Sequence, residues 1–119
     1  MNHPVPASGY LVEDERERRL FYTGDTGPSD ATWEEIGAKQ IHCLIIDVSF
    51  PNHMDQIAIK TGHLTPRLLK EELSKMKLSP KRVYVIHIKS QFLKLVKKEL
   101  KELGIESPAL LKEGDVIRL

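Results

Sequence analysis

A chain of 119 residues, 40% of them hydrophobic, has apolar material for one real core and the length of one ordinary domain, so a single unit over 1–119 is expected. Eighteen Lys and Arg against 17 Asp and Glu leave a formal charge of +1, which excludes a global field selecting nucleic acid or a membrane surface. The lone Cys43 excludes an intramolecular disulfide, and no apolar run approaches the ~20 residues needed to cross a bilayer.

Cys43 lies inside the apolar run "IHCLIID", where a thiol behaves as a small buried hydrophobe. The Met1 end has no basic-then-apolar leader. A soluble, cytoplasmic protein in a reducing compartment is therefore the expectation.

In chain order, "ASGYLVE" and "RLFYTG" flank the charged "DERERR", which predicts an antiparallel hairpin over residues 7–23. After Asp25, "GPSDATWEEIGAK" offers Ser29 or Asp30 as an N-cap, with Glu34 and Glu35 early in a helix of about three turns. "IHCLIIDVSF" is a continuous β-branched apolar run that predicts a buried strand ending at Asp47. "TPRLLKEELSKM" opens on Thr65 as N-cap and Pro66 at the first helical position, and carries Leu68, Leu69, Leu73 and Met76 on one stripe. "SPKRVYVIHI" restarts as a strand after a Ser-Pro break. "SQFLKLVKKELKELG" predicts a helix with Phe92, Leu93, Val96, Leu100 and Leu103 inward and Gly104 at its C′ position, and "GDVIRL" a closing strand. Alternating strands and helices through residues 18–103 give an α/β class with at least part of the sheet parallel.

Three ionisable side chains hold equivalent places: Asp25 after "LFYTG", Asp47 after "HCLII" and His87 after "RVYVI". Each stands at the carboxyl end of an apolar strand. That edge of an open α/β sheet feeds loops and helix N-termini that converge on one crevice, so Asp, Asp and His there can hold a metal or move a proton. A turn explains one such residue; three together point to a site.

The motifs "VPASGYLVE", "FYTGDTGPSD", "LIIDVSFPN", "TGHLTPRLL" and "VYVIHIK", in this order, resemble the C-terminal half of metallo-β-lactamase-fold hydrolases. Among these they are most similar to class-II cyclic-nucleotide phosphodiesterases, with tRNA 3′-end-processing ribonucleases more distant. The resemblance implies half of a four-layer αββα sandwich with a two-metal site along one edge, usually zinc, with Mn2+ or Fe2+ as alternatives. The family's first metal motif, H-x-H-x-D-H, has no match here and belongs to the N-terminal half.

By the same resemblance, His3 in "NHPVPASGY", Asp25 in "TGDTGP" and His87 in "VIHIK" correspond to metal ligands, Asp25 bridging the two ions. His63 in "GHLT" corresponds to a proton donor, and Asp47 in "DVSF" to the residue that orients it, a glutamate in the ribonuclease relatives. A carboxylate between two divalent ions ~3.5–4 Å apart offsets their repulsion, and a zinc-held water ionises near pH ~7. The 3′ alkoxide that departs is strongly basic, which is the physical need for an acid such as His63. His42 and His53 match no ligand position and read as ordinary strand and loop histidines. Trp33 and Phe92 read as core anchors, and the lysines of "KSQFLKLVKKELKELG" as a solvated helix face.

The resulting expectation is a metal-dependent phosphodiesterase of the cyclic-nucleotide type, incomplete and inactive as this chain alone. Its substrate would be a small cyclic nucleotide, with no membrane partner and no nucleic acid. The alternatives are RNA or another ester processed at the same centre, and a non-catalytic half-domain that pairs with an N-terminal half or with itself. Half of a sandwich leaves an apolar sheet face to be covered.

Overall fold

The computed structural model describes residues 2–5, 9–103 and 109–110, with side chains over 9–103. Alternation along the strands decides the sheet. In β2 (Gly9–Glu13), β3 (Arg19–Tyr22), β4 (Cys43–Asp47) and β5 (Arg82–Ile86), the side chains of Leu11, Phe21, Leu44, Ile46, Val83 and Val85 are buried. A pleat of period two puts them on one face. With β1 (Asn2–Val5) and β6 (Ala109–Leu110) they form a six-stranded sheet whose spatial order follows the chain.

β1, β2 and β3 are antiparallel neighbours, and β3 through β6 are parallel. Each parallel step needs a crossover: α1 (Asp30–Ile36), then α2 (Asp55–Thr61) with α3 (Pro66–Lys75), then α4 (Leu93–Glu102). Right-handed crossovers taken in one direction put every helix on the same face. Accordingly Trp33, Ile36, Ala58, Leu68, Leu69, Val96 and Leu100 share one core with the buried strand residues. The opposite face carries Val12, Leu20, Tyr22, Ile45, Tyr84 and Ile86, all only partly covered.

The expected α/β class holds, with a mixed sheet. The hairpin foreseen over 7–23 is β2 and β3, closed by Asp14, which accepts from the backbone N–H of Arg16 and Arg18 at 2.9 Å each. α1 begins as expected at Ser29, whose hydroxyl accepts from Thr32 N–H at 3.3 Å. It runs seven residues, about two turns rather than three. Gly37 at φ 60 ends it. In α3, Thr65 caps Leu68 N–H at 3.2 Å, with Pro66 in the first turn.

The stripe of α3 differs from the expected one. Leu68 and Leu69 are buried, Leu73 and Met76 only partly, and the fourth buried position is Glu72. Its carboxylate accepts from Ser29 N–H at 2.8 Å, Trp33 Nε1–H at 3.1 Å and Lys75 Nζ at 2.5 Å, so a charge joins α1 to α3. In α4, Leu93 is 38% exposed where an inward side chain was expected; Phe92, in the 3-10 turn Ser90–Phe92, packs against the core instead. α2 is absent from the periodicity because it has no apolar stripe: Ala58 is buried while Ile57 and Ile59 are 48% and 53% exposed. The expected C′ position of Gly104 and closing strand "GDVIRL" lie outside the described residues. Among the described residues no helix is long and apolar enough to cross a membrane.

Candidate metal centre

Because β3, β4 and β5 run parallel, their carboxyl ends share one edge, and the three residues predicted from their strand-end positions meet there. His87 Nδ1 lies 3.0 Å from Asp25 Oδ1 and 3.8 Å from Asp47 Oδ1. One ligand atom from each of Asp25, Asp47 and His87 falls within 4.8 Å of the others. Two carboxylates and an imidazole are hard and borderline donors of the kind that suit a divalent cation. Asp47 is fully buried, whereas the side chains of Asp25 and His87 are 65% and 49% exposed, so the group opens to solvent on one side.

The chain bends sharply to make this group. His87 has φ 66, the left-handed region that a side chain with a Cβ enters at a cost of roughly 1–2 kcal/mol. Non-glycine residues held there mark sites where geometry is worth strain. Gly24, next to Asp25, has φ 69, which a glycine takes freely.

His63 joins the group from the helical side. Gly62 caps α2 at φ 78, and the next residue directs its ring to Asp47: His63 Nδ1 is 2.7 Å from Asp47 Oδ2. The strap after β4 is stitched to both neighbouring loops. Val48 N–H donates to Ile86 O at 3.1 Å, Ser49 N–H to Leu64 O at 3.1 Å, and Lys89 N–H to Ser49 O at 3.3 Å. The Asp25 loop touches the His63 loop backbone to backbone, since a Cβ on Gly27 would stand 3.3 Å from Gly62 Cα. Phe50 packs its ring edge to the His63 ring, centroids 5.8 Å apart.

Electrostatics report the same concentration of charge. Burial, reinforced by the carboxylates of Asp25 and Asp47, pushes the Tyr22 phenol above its ordinary value. Tyr22 stands in β3 opposite Ile45 of β4, on the face that also carries Asp47.

Of the predicted site residues, Asp25, Asp47, His63 and His87 come together. His3 lies in β1 opposite Leu11, and its side chain is outside the described residues. Asp47 touches both His63, as the resemblance implied, and the Asp25/His87 group, as its strand-end position implied. His42 is structural: its Nδ1 accepts from Arg19 N–H at 3.0 Å. His53 is exposed. Sequence reasoning missed Ser49, whose hydroxyl donates to Asp47 Oδ1 at 2.7 Å, although its place two residues after Asp47 in "DVSF" was a signal available to it.

The chain is 36% identical over 72 residues to a ribonuclease Z of Pyrobaculum calidifontis, an alignment covering 53% of this chain and 24% of that protein. It thus spans about a quarter of the length of that curated relative. Its fold superposes on the metallo-β-lactamase fold protein YhfI from Bacillus subtilis with a TM-score of 0.66 at 15% identity, covering 94% of this chain and 45% of that one. It also superposes on unliganded yeast PDE1 with a TM-score of 0.64 at 20% identity, covering 87% of this chain and 38% of that one. At such identities the two structures speak for the fold alone. Residues 1–88 match the family model of the beta-lactamase superfamily domain, and the chain belongs to the metallo-β-lactamase superfamily.

Proposed function

We propose that this chain carries part of the metal centre of a phosphodiester hydrolase, in which water replaces a departing 3′ oxygen on phosphorus. The observation behind this reading is an imidazole, His63, seated on the buried Asp47 carboxylate beside the Asp25/His87 group. Asp25 and His87 would hold divalent ions, zinc by resemblance, with His3 as a further ligand. Such ions, when bound, acidify water and offset the charge of the phosphodiester.

The chain's own groups account for the proton. An ionised Asp47 only accepts hydrogen bonds, so the 2.7 Å contact puts a proton on His63 Nδ1 and leaves Nε2 to carry one to the leaving oxygen. The His63 side chain is 22% exposed, which keeps it within reach of a substrate on the open side. A positioned acid of this kind contributes typically 10²–10⁴-fold to turnover.

A cyclic nucleotide and an RNA chain present the same bond to this centre. The cyclic-nucleotide reading rests on the motifs. The RNA reading is supported by the ribonuclease Z similarity, at 36% identity over 72 residues. In either case the partly covered face of Val12, Leu20, Tyr22, Ile45, Tyr84 and Ile86 calls for a second layer, because parallel strands are covered on both faces. A second half of the sandwich, or another copy of this one, would supply it.

The test is cleavage of 3′,5′-cyclic AMP, of RNA with a 3′ extension, and of bis(p-nitrophenyl) phosphate by the metal-loaded protein combined with a half-domain that supplies the H-x-H-x-D-H ligands. The expected result is cleavage abolished by a chelator, with the preferred natural substrate deciding between the two readings. Absence of chelator-sensitive cleavage of all three would overturn the hydrolase and leave a non-catalytic module.

A further inference from the structure

A carboxylate as deeply buried as Asp47 needs donors on both oxygens. Oδ2 lies 2.7 Å from His63 Nδ1, and Oδ1 receives the Ser49 hydroxyl at 2.7 Å. The same Ser49 Oγ lies 3.2 Å from His63 Nδ1. A serine has one hydroxyl proton. With that proton on Asp47 Oδ1, Oγ turns a lone pair toward the ring, and the three groups close around a single N–H. The opposite tautomer would set a bare Nδ1 lone pair against Oδ2, and the Ser49 hydroxyl could satisfy that nitrogen only by leaving Asp47 Oδ1 without its donor.

We propose that Ser49 is a positioning residue, whose hydroxyl holds the Asp47 carboxylate and thereby fixes the tautomer of His63 so that Nε2 is the nitrogen free to act. The backbone carries this hydroxyl rigidly. Ser49 N–H is bonded to the loop of His63 through Leu64 O, and Ser49 O accepts from Lys89 N–H in the loop after His87. Ser49 itself is 1% exposed, so no water replaces its hydroxyl without rearrangement. Removal of the hydroxyl would leave Oδ1 facing His87 Nδ1 at 3.8 Å, and the carboxylate would be free to turn from His63 toward His87.

The catalytic consequence rests on the reading of His63 as proton donor, but the lock itself is a property of the folded chain. Nitrogen-15 NMR of the imidazoles, at a pH where His63 is neutral, reads which ring nitrogen bears the proton. In the full chain His63 is expected as a single Nδ1–H form. Ser49→Ala should convert it to a mixture of tautomers with a fast-exchanging ring proton, while Ser49→Thr, which keeps the hydroxyl, restores the single form. Backbone amide spectra of both variants establish the fold. Where Ser49→Ala does not fold, Ser49→Val against Ser49→Thr isolates the hydroxyl at constant shape.

An Nε2–H form in the unaltered chain, or a single Nδ1–H form undisturbed by Ser49→Ala or Ser49→Val, overturns the proposal. On an active preparation Ser49→Ala should lower turnover about 10- to 100-fold more for a basic leaving group than for bis(p-nitrophenyl) phosphate, whose leaving group needs no acid. Equal loss on both substrates would mean a merely structural serine. A His63→Ala variant that cleaves the basic leaving group as fast as the parent sinks the donor reading instead, and leaves the tautomer result standing.

Discussion

Two carboxylates are buried among the described residues, and they are buried differently. Glu72 is 2% exposed and takes a backbone N–H from Ser29, the indole N–H of Trp33 and the ammonium of Lys75. Lys75 also reaches Asp30 at 2.9 Å. Burial works to lower the Lys75 pKa, yet its bonds to Glu72 and Asp30 outweigh this and hold the ammonium above its ordinary value. Asp47 is equally hidden, but its partners are a hydroxyl and an imidazole open to solvent, with a second imidazole at 3.8 Å. The first carboxylate is saturated by donors that stay protonated at neutral pH. The second is satisfied by a ring that can gain or lose a proton. Burial of charge alone therefore marks a joint in one place and chemistry in the other, and the nature of the donors tells them apart.

This contrast can be broken from either side. His63→Ala should lower turnover by about 10²–10⁴-fold on a substrate with a basic leaving group, with bound metal per chain and unfolding midpoint little changed. Glu72→Ala should do the reverse. It strands Lys75 and the Trp33 N–H, costing about 3 kcal/mol in urea unfolding while turnover of the remaining folded protein is kept. Gly27→Ala tests the seam between the two site loops. The added methyl meets Gly62 Cα at 3.3 Å, so about 1 kcal/mol of stability should go, along with part of the turnover as His63 shifts.

Smaller effects sharpen the picture at the open face. The Tyr22 phenol titrates above its ordinary 10.0 because of burial and the carboxylates of Asp25 and Asp47. A folded-state pKa above the unfolded one leaves stability flat below the unfolded value, and the contribution is lost as pH rises from there through the folded value. Tyr22→Phe should flatten that alkaline decline, read by unfolding midpoints on either side of pH 10.0. Least of all, Cys43 is fully buried and burial raises its thiol pKa, with Arg82 pulling weakly the other way. Its alkylation at neutral pH should be slow until the chain is unfolded.

Much of this was legible in local sequence. The Thr65-Pro66 start of α3, the Ser29 cap of α1 and the β-branched run of β4 are signals carried by neighbouring residues, and the chain follows them. The strand-end positions of Asp25, Asp47 and His87 were legible for the same reason, once parallel strands were inferred. α2 was not, because its two isoleucines face solvent and leave no stripe. Glu72 was not, because a glutamate on a helix reads as solvated until Trp33 and Ser29 are known to reach it from another helix.

By itself the sequence determined the strand and helix alternation, the caps and which residues stand at strand ends, since each of these depends on period, φ preference and side chains a few positions away. Only the tertiary structure decided that Asp47 turns one oxygen to His63 and the other to Ser49, that Gly27 lies against Gly62, and that one sheet face stays partly open. Those are contacts between segments far apart in the chain, set by parallel strand register and by crossovers that bring three loops to one edge.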